Sequence, residues 1–118
     1  MAADVTNGEP ATQFGESGYF RMTLQSALAP VAINRMHNWT LRLETPSGDP
    51  VSGANVTVTG GMPDHDHGLP TAPRATGTVN DGQYLIEGVK FHMNGRWELT
   101  IGVETATQSD AATFEFAL

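Results

Sequence analysis

The stretch HNWTLRLET, His37 to Thr45, changes polarity at every step. Extended backbone sends successive side chains to opposite faces. Trp39, Leu41 and Leu43 therefore share one face, and Thr40, Arg42 and Glu44 share the other. A period of two with large apolar groups on one side marks a strand with one face in water. RWELTIGVE (Arg96–Glu104) reads the same way, with Trp97, Leu99, Ile101 and Val103 inward. YFRMTLQS (Tyr19–Ser26), ANVTVTG (Ala54–Gly60) and ATFEFAL (Ala112–Leu118) alternate likewise. RATGTVNDGQYLIEGVKF, Arg74 to Phe91, divides into two strands about a turn at Asn80–Gly82. RMTLQSALAP is the best helix candidate, stopped by Pro30, because short apolar runs fit either period.

That makes about seven short strands with turn signals between them. The expected fold is all-β, an antiparallel immunoglobulin-like two-sheet sandwich. The 118 residues suit one domain with a real core, and 13 Gly and 7 Pro suit many turns. Residues 1–17 are small, polar and glycine-containing and are expected to form a flexible lead-in. Residues 18–118 are expected to form a single sandwich domain carrying a His/Met loop at 60–73.

The formal charge is −7, and the 6 Lys and Arg are scattered, so no basic patch for nucleic acid exists. An anionic membrane surface would repel such a chain. There is no cysteine, which removes disulfides, thiolate catalysis and the blue-copper centre together. No run approaches the length of a membrane helix, and MAADVTNGEPATQFGESG lacks the apolar centre of a signal peptide. The chain reads as cytosolic, or as mature or trimmed with an added Met1. There is no GxSxG, no glycine-rich phosphate loop and no HExxH, so no enzyme is expected.

The chemistry gathers in GGMPDHDHGLP, Gly60 to Pro70, which holds half of the 4 histidines. Imidazole is the commonest protein metal ligand. In an extended segment, His65 and His67 would share a face and could chelate one ion. Prolines on both sides restrict the loop and lower the entropy lost on binding. A solvated polar loop is the plain alternative. His92, in KFHMNGRW, is expected outward near a turn, with Met93 inward. Met62 could cap the core or face the loop. His37 is in phase with Trp39 and inward, where a hydrogen-bonded core role competes with a ligand role. Imidazoles and thioethers without thiols suit copper as Cu(I) or Cu(II). Zinc, through His with Asp64 or Asp66, has little use for methionine.

WTLRLETPSGDPVSGANVTVTGGMPDHDHGLPTAPRAT, followed by GQYLIEGVKFHMNGRWELTIGV, resembles the YtkA-like domain, related to the soluble part of FixH-like proteins. The pattern runs from Tyr19 to Val103. Its parts are a W-x-L-x-L strand at Trp39–Leu43, a turn and strand at Gly48–Val56, the M-P-x-H-x-H-G-x-P loop at Met62–Pro70, and a closing strand at Phe91–Leu99. The resemblance implies an exported or membrane-tethered β-sandwich, periplasmic in location, associated with copper handling and without catalysis. It strengthens His65, His67 and His92 as ligands, with Met62 and Met93 next. The expectation is thus a copper chaperone or buffer whose partners are the copper ion and a periplasmic or membrane copper protein. A homodimer sharing one ion stays open. The alternative is a metal-independent interaction module accessory to a membrane transporter or oxidase assembly. A two-histidine copper enzyme using its N-terminal amine ranks last, since no histidine precedes His37.

Overall fold

The computed structural model describes residues 3–118, apart from the Val79 side chain. Met1 and Ala2, part of the expected lead-in, lie outside the described residues. The strands are β1 (Ala11–Phe14), β2 (Arg21–Ser26), β3 (His37–Glu44), β4 (Asn55–Met62), β5 (His67–Gly68), β6 (Arg74–Asn80), β7 (Gln83–Val89), β8 (Arg96–Glu104) and β9 (Ser109–Ala117). One sheet has the order β1-β2-β3-β7-β6 and the other β5-β4-β8-β9. Every neighbouring pair is antiparallel. The fold is the expected two-sheet sandwich. RMTLQS is a strand, because its alternating Met22 and Leu24 both enter the core.

The alternation read from the sequence is the alternation of burial. Trp39, Leu41 and Leu43 of β3 are buried, as are Trp97, Leu99, Ile101 and Val103 of β8. Phe91 stands between the two layers. Its ring centre lies 5.1 Å from Trp97 and 5.3 Å from Phe116 on one side, and 6.4 Å from Trp39 on the other. The three contacts are edge-on, the arrangement that the ring quadrupole favours. Phe91 is past the end of β7, so this packing, together with the Asn34 N–H donating to the Phe91 carbonyl at 2.7 Å, holds the segment after Val89 in place.

Two expectations need correction. Nine strands are present among the described residues, where about seven were expected. The additions are β5, only two residues long, and β1, which lies inside the supposed flexible lead-in. The described part of that lead-in, from residue 3 on, is built into the fold. Val5 sits in a 3-10 turn (Val5–Asn7) and is buried in the core. β1 pairs with β2 from Ala11↔Leu24 to Phe14↔Arg21. The sequence ATQF shows little alternation because an edge strand is held by main-chain hydrogen bonds, which leave no mark on side-chain pattern.

Asp110 secures this edge. It is a buried carboxylate at the start of β9. It accepts the backbone N–H groups of Ser17 at 2.8 Å, Tyr19 at 3.0 Å and Phe20 at 3.3 Å. The turn between β1 and β2 in one sheet is thereby tied to a strand of the other. Asp110→Ala is expected to lower stability by about 1–3 kcal/mol, the cost of leaving such donors without an acceptor. Urea unfolding of the variant checks this, and a midpoint equal to wild type would show that the tether contributes nothing.

Candidate metal centre

β4 ends in Gly60-Gly61-Met62, and the chain turns back at once into β5, with Met62 opposite His67. Residues 63–66 form the hairpin loop, closed by the N–H of His65 donating to the carbonyl of Met62 at 3.2 Å. Asp66 takes φ 52°, a left-handed conformation that Asp tolerates better than most residues. This corrects the extended segment expected for His65 and His67. Their rings are neighbours, 6.1 Å between centres, because a tight turn brings them together. Gly61 is needed here, since a Cβ on it would run into the carbonyl oxygen of His67.

His92 arrives from the other side of the rim. Burial of Phe91 and of Trp97 fixes both ends of the segment between β7 and β8. The indole N–H of Trp97 donates to the carbonyl of Met93 at 2.9 Å, which braces it further. The half-buried His92 ring stands edge-on to Trp97, 5.6 Å between centres, and 6.2 Å from His67. Its Nδ1 is buried and has no hydrogen-bond partner among the described residues. A buried polar atom left in this way costs about 1–3 kcal/mol.

His65, His67 and His92 therefore form a row at one rim of the sandwich. An imidazole bound through nitrogen at about 2.0–2.1 Å has its ring centre about 3.2 Å from the ion, so two ligands of one ion lie roughly 5–6.4 Å apart. Both neighbouring spacings in the row fall within that span. The row is not a closed cage. Among the described residues no three His, Asp or Glu side chains converge on one point. His65 and His67 are both exposed, so turning either ring disturbs no buried contact.

The other candidates divide. Met62 is buried, and its methyl lies where a Cβ on Gly95 would be, so loop and turn interlock. Gly95 has φ 140°, a region that favours glycine on its own account. Met93 is half-buried against the core. Met36 is exposed. His37 is not free to join the row. Its Nε2 accepts the indole N–H of Trp39 at 2.9 Å, and its Nδ1 therefore carries the proton and donates to the carbonyl of Arg35 at 2.9 Å. With both nitrogens engaged, the ligand role entertained for His37 gives way to the core role.

Asp64 is also committed. Arg96 donates to both of its carboxylate oxygens, from Nε at 3.2 Å and from Nη2 at 3.1 Å. These bonds, then the charge of Arg96, hold the carboxyl below its ordinary range. Sequence reading missed this clamp. Arg96 and Asp64 are far apart in the chain, and only the register Gly61↔Glu98 between β4 and β8 brings Arg96 level with the loop.

The fold and the rim together define a small antiparallel sandwich domain with an imidazole row beside one hairpin. The chain belongs to the YtkA-like family, whose model matches residues 16–102. No protein with a curated description matches it. A crystal structure of a DUF4426 family protein from Pseudomonas aeruginosa has the same fold. It superposes with a TM-score of 0.63 at 16% identity, over 92% of this chain and 94% of that one. No helix among the described residues is long and apolar enough to cross a membrane.

Burial pushes the pKa of His37 below its ordinary 6.5. The fold thus favours the neutral ring, and as pH falls the unfolded chain takes up this proton first. The stabilisation is complete above 6.5 and is lost as pH falls from there through the lowered value in the fold. Unfolding free energies measured between pH 7.5 and 5 should decline more steeply in wild type than in His37→Gln. Equal slopes would remove His37 from the account.

Proposed function

We propose that this chain is an exported copper-binding protein, a chaperone or buffer of copper with no catalytic step of its own. His65, His67 and His92 hold the ion, and one methionine sulfur, from Met62 or Met93, adds a soft donor. The observation that carries this reading is the buried, partnerless Nδ1 of His92 beside the ring of His67. A metal ion would supply the partner that the protein does not. Thioether and imidazole without thiolate is a donor set that accepts Cu(I) and survives oxidising surroundings.

The reading also has a mechanism. His92 is half-buried and braced by Trp97, whereas His65 on the turn and His67 at the start of β5 are exposed. A recipient can displace the exposed imidazoles one at a time while the inner one still holds the ion. The recipient is a periplasmic or membrane copper protein that offers its own soft donors. The charge of −7 raises the local concentration of cations modestly. The metal-independent interaction module remains as the second reading, because the three rings do not converge without rotation.

Titration of the purified protein with Cu(I) and Cu(II), followed by tryptophan emission and by chelator competition, tests the proposal. His65→Ala/His67→Ala is expected to weaken Cu(I) binding by more than about tenfold, equivalent to about 1.4 kcal/mol. His92→Ala should do the same. Met62→Leu and Met93→Leu decide which sulfur participates. Unchanged affinity in the double histidine variant rules the site out. Binding no tighter than that of a histidine peptide favours the interaction module.

A further inference from the structure

Outside the imidazoles, the side chain that grips the loop most directly is Arg96, the first residue of β8. Its guanidinium takes both oxygens of Asp64, the carboxylate next to His65, through Nε and Nη2. The same group reaches Glu115 at 3.5 Å and Glu98 at 3.9 Å. It is thus surrounded by three carboxylates, of which Asp64 alone is held by both prongs. The two-pronged contact fixes orientation as well as distance.

Stability does not explain the pair. The Arg96 and Asp64 side chains are 44% and 57% exposed, and ion pairs so open to water contribute little. Its effect on the rim is chemical. Zinc readily takes imidazole together with carboxylate, whereas Cu(I) prefers imidazole and thioether. Asp64 adjoins His65 in the chain, and a carboxylate beside imidazoles is a donor set of the zinc kind. We propose that Arg96 is a specificity-determining residue, which withholds Asp64 from the rim and so disfavours zinc relative to copper. The inference rests on the metal-binding reading above and deepens it. Arg96 touches no metal; it acts by positioning Asp64.

The test compares wild type, Arg96→Gln, Asp64→Asn and the double variant. Zinc affinity is measured by chelator competition, with Cu(I) affinity in parallel and folding checked by thermal melting. Arg96→Gln should bind zinc more tightly by up to roughly fivefold, since an exposed ion pair resists exchange by no more than that. Cu(I) affinity should change less, and the zinc gain should vanish when Asp64 is already Asn. Arg96→Lys keeps the charge but loses the two-pronged grip, and should show a smaller gain in the same direction. This variant serves also if Arg96→Gln melts early. No gain in zinc affinity overturns the proposal. So does an equal gain in the Asp64→Asn background, which would trace it to lost positive charge or to Asp66. A zinc gain that needs Asp64, in a protein whose wild type does not bind Cu(I), would refute the copper reading and leave the Arg96 clamp standing.

Discussion

Burial of Phe91 among aromatic rings from both sheets is the constraint on which the rest of this molecule depends. Trp39 comes from β3, Trp97 from β8 and Phe116 from β9, and all three rings lie around it. Each such pair adds about 0.5–1.5 kcal/mol beyond the area it buries. The ring closes one end of the core. It also sets the path of the residues after it. With Phe91 inside and Trp97 buried, the segment between them must bridge the sheets at the rim, and His92 is carried there. His37 packs against the same ring from β3, 5.8 Å between centres. One imidazole is thereby taken into the core and another is left at its edge.

The rim combines rigid and loose parts for physical reasons. The rigid parts are His92, braced by Trp97, and Met62, interlocked with Gly95. The loose parts are His65, on a short turn, and His67, at the start of the two-residue β5, both exposed. Under the proposed copper reading, the exposed rings are the ligands that can leave separately. The Arg96 clamp gives the loop a fixed base without burying it. Strand register between β4 and β8 supplies that clamp without disturbing the core.

Much of the fold could be read directly because a half-buried strand announces itself by polarity. β3 and β8 alternate cleanly, and their burial follows residue by residue. β1 could not be read, since an edge strand pairs through its main chain and ATQF carries no apolar stripe. Asp110 gave no signal either, because its partners are backbone N–H groups about ninety residues earlier in the chain. At the site, the donor types were visible and the pairing was partly misjudged. His65 and His67 meet by a turn with Asp66 at positive φ, not by extended spacing. His37 was visible as inward, but the hydrogen bonds that engage both of its nitrogens were not.

The sequence alone determined the strand periodicity, the two-layer architecture, the absence of thiol chemistry and the inventory of imidazoles and thioethers. These are local properties, set by residue type and by the two-residue repeat of extended backbone. Tertiary structure alone decided which imidazoles meet, which nitrogen is left without a partner, and which carboxylate is already held by an arginine. Those outcomes depend on cross-strand register and on how the aromatic core packs. Both join residues remote along the chain, so no short stretch of sequence contains them.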